Sequence, residues 1–135
     1  MNRSQEREQA FIVLFETIFH PDTTIDELFE LAEESDFFTG TEFSRKLVET
    51  TVEHGAEIDT EIEAHAIDWS IQRITKVSLA VLRLALCEIL YFDDIPVSVT
   101  INEAVELAKK YAGQQDSRFI NGVLGSFIRA REKES

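Results

Sequence analysis

The sequence is poor in the residues that build disulfide-bonded, all-β or membrane-spanning proteins. It contains one cysteine, so no internal disulfide can form, and a reducing compartment, the cytoplasm, is expected. Five glycines and two prolines in 135 residues are too few for the many turns of an all-β fold. No apolar run approaches the roughly 18 residues that cross a bilayer, and no signal peptide is expected. Because 44% of the residues are hydrophobic, one helical domain with its own core is predicted.

Basic residues are scarce, and their distribution is uneven. Residues 1–63 hold 17 Asp and Glu against four Lys and Arg, a net charge of −13. Residues 64–135 hold nine of each sign and are neutral overall. A uniformly basic footprint for nucleic acid is therefore absent. RNA or DNA would have to meet local basic groups, and a partner would be needed to help.

Hydrophobic spacing predicts an all-α fold of about seven helices. A first helix from about residue 4 to 19 has one apolar stripe. A long third helix from about 43 to 66 is predicted to run through Gly55, which lies on the apolar stripe and is expected to permit close contact with another helix. The segment from Val77 to Phe92 is apolar on nearly every side, which is typical of a helix buried on several faces. Capping boxes are predicted to open the second helix at Thr24 and the sixth at Thr100.

The last two predicted helices are defined by their ends. Gly113 is expected to end the sixth helix as its C′ residue. Asp116 or Ser117 is expected to cap the seventh. Arg83 interrupts the apolar helix and is expected to pair with Glu88, Asp93 or Asp94, because buried charges are normally paired.

No residue pattern supports catalysis. Cys87 lies in apolar surroundings, where a thiol is inert. Four side chains along one helical face could in principle ligate a metal, but a solvated acidic face is the favoured interpretation: His54, Glu57, Glu61 and His65. The chain also lacks a glycine-rich phosphate loop, a nucleophile elbow and a Cys-x-x-Cys pair. A helical metalloenzyme is the least favoured hypothesis, and no catalytic residue, metal or cofactor is predicted.

Two local patterns suit RNA better. Arg3 and Arg7 lie one turn apart on the first helix and could grip phosphate, although interleaved glutamates weaken the field and ordinary surface charge is an equal alternative. Arg118 followed by Phe119 near a helix N-terminus offers a phosphate contact and a stacking platform. Taken without context, Phe119 is more often a core residue.

A longer ordered pattern resembles a known family. Its parts are Leu82-Arg83-Leu84-Ala85, Glu88, the Asp94-Ile95-Pro96 turn, Ile101-Asn102-Glu103-Ala104-Val105-Glu106-Leu107-Ala108-Lys109, and Phe119-Ile120-Asn121-Gly122-Val123-Leu124. Trp69 and Arg73-Ile74 lead into this block in the same order. Together they resemble the NusB family of bacterial transcription antitermination factors, and the likeness extends over essentially the whole chain.

The resemblance implies a fold and a function. The fold would be two three-helix bundles packed side by side in one domain, residues 1–135, with an N-terminal subdomain to about residue 66 and a C-terminal one from about 67 to 131. The function would be to bind the boxA element of ribosomal leader RNA jointly with NusE, a small-subunit ribosomal protein. That complex helps RNA polymerase read through terminators during ribosomal RNA synthesis, without catalysis or a cofactor.

Carried over by position, the RNA-facing residues of the family fall on seven positions: Arg3, Arg7, Phe15, Ser78, Asp116, Arg118 and Phe119. This sequence departs from the pattern in three places. The basic arm is reduced to two arginines among glutamates, Phe15 stands where tyrosine is frequent, and Ser78 replaces an acidic residue. Fewer phosphate contacts predict weak RNA binding by the chain alone. The alternative is a NusB-like module for protein association, a homodimer included, in which RNA binding is weak or lost.

Overall fold

Helices account for all the regular secondary structure in the part of the chain that is described. The computed structural model describes residues 2–35, 40–67 and 69–134, and these contain seven α-helices, one 3₁₀ turn and no strand. The elements are α1 (Arg3–Phe19), α2 (Ile25–Glu33), α3 (Glu42–Glu53), α4 (Gly55–His65), the 3₁₀ turn Ile71–Arg73, α5 (Lys76–Tyr91), α6 (Val97–Tyr111) and α7 (Gln114–Glu134). The predicted all-α class with about seven helices is confirmed.

Helix α5 is the centre of the molecule. Every residue from Ser78 to Glu88 except Arg83 is buried. The cause is its surroundings, since α1, α3, α4, α6 and α7 all pack against it. A helix enclosed on several sides has no face left for solvent, which explains why its sequence is apolar all round.

Helix α1 contacts helices from both halves of the chain. Its N-cap Asn2 and its N3 residue Gln5 form a reciprocal capping box that fixes the start of the helix. Phe11 and Leu14 bury the predicted apolar stripe, with Phe15 partly buried beside them. α1 packs on α2, α3 and α5. Ser4 also reaches α6, because its hydroxyl donates to Glu103 Oε1 at 2.7 Å.

The long third helix predicted from residue 43 to 66 is divided in two. α3 ends at Glu53 and α4 begins at Gly55, with His54 between them at φ −102° and ψ 23°. The prediction that Gly55 lets another helix approach closely was wrong, since a Cβ placed there would meet no atom within 4 Å. The apolar spacing continues across the break because both helices pack against α5.

The predicted starts of the last two helices also differ from the structure. α6 begins at Val97 after the N-cap residue Pro96, so Thr100 lies inside the helix, where its buried hydroxyl donates to Glu88 Oε1 at 3.1 Å. α7 begins at Gln114, which places Asp116 and Ser117 within its first turn rather than at a cap. Gly113 is confirmed as the C′ residue of α6, with a φ of 118° that favours glycine.

Arg83 has a different partner from those predicted. It forms a bidentate pair with Asp59 on α4, in which Nε and Nη2 each donate over 2.8 Å. Asp59 lies 24 residues away, so no local spacing could identify it. The pair joins α4 to α5.

The packing groups α1, α2 and α3 at one side of α5, and α6 and α7 at another. Helix α4, which the sequence assigns to the N-terminal subdomain, packs on α5 and α7 as well as on α3. The division near residue 66 therefore stays a prediction. Within the described ranges, no helix is long and apolar enough to cross a membrane.

Candidate RNA-binding site

Three of the seven predicted site residues line one cleft between the start of α5 and the start of α7. This α5–α7 cleft has a volume of about 180 Å³ and is lined by Trp69, Arg73, Ile74, Thr75, Ser78, Gln115, Asp116 and Phe119. Residues from the 3₁₀ turn and the segment before it close one side. The cleft therefore brings together side chains that are up to 50 positions apart.

Asp116 joins the two helices that form the cleft. Its Oδ2 accepts hydrogen bonds from the hydroxyls of Thr75 at 2.7 Å and Ser78 at 2.9 Å. Thr75 is also the N-cap of α5 and accepts from the backbone N–H of Ser78 at 3.2 Å. A carboxylate is favoured beside the positive end of a helix, so this arrangement stabilises both the cap and the cleft. Ser78 is buried, so its hydrogen bond to Asp116 lies at the base of the cleft.

Two aromatic rings border the cleft. The rings of Trp69 and Phe119 meet edge to face, with centroids 6.0 Å apart and planes inclined at 66°. Phe119 is partly buried against the core, whereas Trp69 is 48% exposed. Phe119 packs partly against the core and also lines the open cleft, so its role as a stacking platform stays a prediction. Exposed rings of this kind are platforms on which unpaired bases stack.

One cation lines the cleft, and two more lie on the helix turns that adjoin it. Arg73 lines the cleft, and Lys76 and Arg118 are exposed on the first turns of α5 and α7. None of the three has a carboxylate within 4 Å among the described residues. Arg118 makes only a weak hydrogen bond of 3.3 Å to Gln114. These cations lie on the electrically neutral half of the chain, where phosphate meets the least repulsion.

Phe15 belongs to a separate row of rings, which we call the aromatic row: Phe11, Phe15, Phe19 and Tyr111. Phe15 lies 5.9 Å from Phe11 and 5.0 Å from Phe19 between ring centroids. Phe11 in turn lies 4.9 Å from Tyr111, the last residue of α6. α7, which forms one wall of the cleft, begins three residues after Tyr111.

The two arginines of the N-terminal arm lie apart from this surface. Arg3 is twelve positions before Phe15, about 18 Å along a helix that rises 1.5 Å per residue. Its guanidinium lies 3.8 Å from the centroid of the Phe43 ring and 3.3 Å from Glu6. Arg3 is exposed, and these contacts are with residues outside the cleft and the aromatic row.

Arg7 points into the protein. Its Nε donates to both carboxylate oxygens of Glu88, at 3.0 and 2.8 Å, and only 4% of its side chain is exposed. A phosphate could reach this guanidinium only if the pair with Glu88 opened. The geometry therefore gives Arg7 a structural role, because a buried charge without its partner is strongly disfavoured.

Some residues at this end of the molecule were not predicted as site residues. Trp69 and Arg73 belong to the family pattern but are not among the predicted site residues, and neither are Lys76, Lys110 and Tyr111. The available signal was an exposed tryptophan in a short connection, followed by cations just before an apolar helix. Such a pattern has no helical or strand period, so periodicity cannot find it.

The candidate metal ligands His54 and His65 each contact a different side chain, and they do not converge on one point. His54 Nδ1 lies 2.8 Å from Glu57, whereas His65 Nδ1 lies 2.9 Å from the Ser126 hydroxyl. Within the described part of the chain, no group of three or more His, Cys, Asp or Glu is placed to hold a metal. Burial raises the pKa of the Cys87 thiol to about 11, which keeps it protonated and unreactive at neutral pH.

Sequence comparisons with known proteins all identify the same family. The model of the NusB family matches residues 4–129. The transcription antitermination protein NusB of Oceanobacillus iheyensis is 42% identical over 128 residues, which cover 95% of this chain and 99% of that protein. The NusB of Agathobacter rectalis is 41% identical over 131 residues, which cover 94% of this chain and 99% of that protein.

Solved structures agree with the sequence relatives. A chain from the crystal structure of the antitermination factors NusB and NusE in complex with double-stranded RNA has a TM-score of 0.85 and 33% identity, over 95% of this chain and 96% of its own. The solution structure of NusB from Aquifex aeolicus has a TM-score of 0.81 and 34% identity, over 99% of this chain and 93% of its own.

Proposed function

Since this chain belongs to the NusB family, we propose that it is a transcription antitermination factor, which binds boxA-type RNA of ribosomal leader transcripts jointly with NusE. In this role it acts within the RNA polymerase antitermination complex, in the cytoplasm, and promotes read-through during ribosomal RNA synthesis. The protein is not an enzyme in this function and needs no cofactor. The RNA is bound through non-covalent contacts and is not chemically changed.

The α5–α7 cleft is the observation that carries this proposal. Its lining combines two partly exposed rings, Trp69 and Phe119, with the cation Arg73, and two further cations, Lys76 and Arg118, lie on the adjoining first turns of α5 and α7. None of the three cations has a carboxylate within 4 Å among the described residues. Single-stranded RNA is recognised by stacking of bases on rings and by cations along the backbone. We propose that the RNA-binding surface comprises the cleft, the first turn of α7 and the aromatic row. Five of the predicted residues are assigned to it: Phe15, Ser78, Asp116, Arg118 and Phe119. Ser78 and Asp116 hold the two helices of the cleft together.

A joint mode of binding follows from the charge balance. The whole chain carries −13, and few cations lie at the cleft. Each phosphate neutralised adds to affinity and to its salt dependence, so the chain alone should bind RNA weakly. A basic partner such as a ribosomal protein would supply the missing positive charge, and the acidic half of the chain would favour its association.

The alternative is a NusB-like protein-interaction module, a homodimer included, with weak or lost RNA binding. One observation favours it: of the two arginines in the N-terminal arm, Arg7 is buried and Arg3 pairs with Glu6. The arm therefore offers phosphate little free positive charge. The two functions differ in whether NusE increases affinity for RNA.

The test is a titration of a boxA-type RNA with this protein, with and without NusE, at two salt concentrations. We expect NusE to increase the apparent affinity by at least tenfold, about 1.4 kcal/mol. An unchanged affinity in the presence of NusE would remove the mechanism and leave the interaction module as the function.

Two variants connect the titration to the cleft. Arg118→Ala should weaken the joint complex and make its salt dependence shallower, whereas Arg129→Ala, an exposed arginine near the other end of α7, should not. Phe119→Leu keeps an apolar side chain but removes the ring, and should weaken binding by about 1–3 kcal/mol if a base stacks there. Wild-type affinity in both variants would exclude the cleft as the RNA site.

A further inference from the structure

Two donors at the end of α6 converge on one carboxylate oxygen of α1. The ammonium of Lys110 and the hydroxyl of Tyr111 both donate to Glu8 Oε2, the latter over 2.6 Å. The residues are consecutive, but the acceptor lies more than a hundred positions earlier in the chain. The fold therefore presents a cation and a neutral donor side by side, aimed at a single anionic oxygen.

This donor pair has the chemistry of a phosphate-binding site. A phosphate oxygen accepts short charge-assisted hydrogen bonds in the same way as a carboxylate oxygen. The side chain of Lys110 is 63% exposed, and Tyr111 is also exposed, so a ligand can reach both. Glu8 occupies the place where a phosphate oxygen would be bound.

The pair is next to the surface proposed for RNA. The ring of Tyr111 contacts Phe11 of the aromatic row, and α7 with its cation Arg118 begins three residues after Tyr111. Lys110 therefore lies beside the aromatic row, and an RNA backbone bound along this row would pass it. Lys110 and Tyr111 add a positive charge and a hydrogen-bond donor to the aromatic row.

Glu8 remains an anion at neutral pH. Partial burial opposes its ionisation, but the hydrogen bonds from Lys110 and Tyr111 outweigh this and lower the pKa of Glu8 below its usual value. Burial and the bond to Glu8 raise the pKa of Tyr111 to about 12, so the phenol remains a donor. A permanent carboxylate thus competes with any other anion for the two donors.

We propose that Lys110 and Tyr111 are a phosphate-binding pair of the RNA site and that Glu8 is a built-in competitor, which the RNA backbone must displace. The inference rests on the RNA-binding function proposed above. It gives one physical cause for weak binding by the chain alone, since breaking the contacts of Glu8 subtracts from the affinity. RNA held in place by a partner gains the pair at a smaller cost.

The first experiment is Glu8→Gln, measured by titration with boxA-type RNA in the presence of NusE. The amide removes the charge but keeps an oxygen acceptor, so we expect affinity to increase about two- to fivefold, the scale of one exposed ion pair. Glu49→Gln, an exposed glutamate on α3, changes the net charge equally and is expected to leave affinity unchanged. If Glu8 only positioned the two donors, Glu8→Gln would weaken binding and overturn the proposal.

The second experiment uses Lys110→Ala and Tyr111→Phe. Lys110→Ala should weaken binding and reduce the magnitude of the slope of log affinity against log salt by about 0.7, the contribution of one phosphate contact on single-stranded RNA. The gain from Glu8→Gln should disappear when both donors are removed. A gain that persists in the triple variant would reflect general charge and contradict the competition.

The outcomes also separate this inference from the proposed function. If wild-type protein binds boxA RNA with NusE and Glu8→Gln binds no better, the inference fails and the function stands. If wild type fails to bind while Glu8→Gln binds, the competitor is supported and joint binding by the wild-type chain fails. If neither binds, both are overturned.

Discussion

Arg3 and Arg7 are one helical turn apart on α1, but burial gives them different roles. Arg7 is enclosed and pairs with Glu88, whose Oε1 also accepts from the hydroxyl of Thr100 at 3.1 Å. This network joins α1, α5 and α6 in the interior. Arg3 lies on the surface, where water and salt screen its contact with Glu6.

Removing the Arg7 side chain should be far more costly than removing that of Arg3. Arg7→Ala leaves Glu88 buried without a counter-charge, and we expect the free energy of unfolding to fall by about 3–5 kcal/mol. Arg3→Ala should change it by less than about 1 kcal/mol. Urea denaturation of both variants measures the difference. Equal losses would mean that the buried pair does not stabilise the contact between α1 and α5.

Asp116 should stabilise the cleft more through its acceptor oxygen than through its charge. Asp116→Ala leaves the buried hydroxyl of Ser78 without its acceptor, which costs about 1–3 kcal/mol. Asp116→Asn keeps a carbonyl oxygen for Thr75 and Ser78 and should lose clearly less. Thermal unfolding of the two variants tests this, and a larger loss for Asn than for Ala would contradict it.

Among the elements, the sequence identifies best those helices that are defined by their own residues. The apolar run of α5 and the glycine that ends α6 could both be predicted, since each depends on local properties. The break at His54 could not be predicted. Both α3 and α4 bury a face against α5, so the apolar spacing passes through the break without interruption.

Side-chain pairs between distant helices could not be predicted from the sequence either. Arg83 pairs with Asp59 rather than with a nearby acid, and Thr100 bonds Glu88 inside α6 rather than capping the helix. Such pairs are chosen by tertiary packing, which spacing along one helix does not contain. The family pattern predicts Ser78, Asp116 and Phe119 of the cleft. The partners of Arg7 and Lys110, by contrast, are set by tertiary contacts with Glu88 and Glu8.

Two glycines at helix ends should respond in opposite ways to alanine. At Gly55 a Cβ meets nothing within 4 Å, so Gly55→Ala should raise the free energy of unfolding by about 0.4–1 kcal/mol by restricting the unfolded chain. At Gly113 the φ of 118° strains any other residue, and Gly113→Ala should lower it by about 1–3 kcal/mol. Melting temperatures of both variants provide the measurement. A loss at Gly55 would mean that the break at His54 needs a glycine after it.

Charge divides the whole molecule into two unlike halves. Residues 1–63 carry the entire net charge of −13, while the cleft and the donors Lys110 and Tyr111 lie in the balanced half. The excess negative charge of residues 1–63 opposes the approach of RNA, so the proposed phosphate contacts are expected from cations of residues 64–135. The same distribution makes a basic partner favourable, because its charge offsets the repulsion that RNA would otherwise meet.

The acidic half also repels itself, and screening should therefore stabilise the fold. Raising NaCl from about 10 mM to 300 mM shortens the screening length from about 30 Å to below 10 Å, and we expect the melting temperature to rise by roughly 3–6 °C. Ion pairs such as Arg83–Asp59 weaken under the same conditions, but they are few beside 13 excess negative charges. Replacing exposed Glu30 and Glu49 by glutamine should reduce the rise, because less repulsion is left to screen. A melting temperature that falls with salt would show that ion pairs outweigh the repulsion.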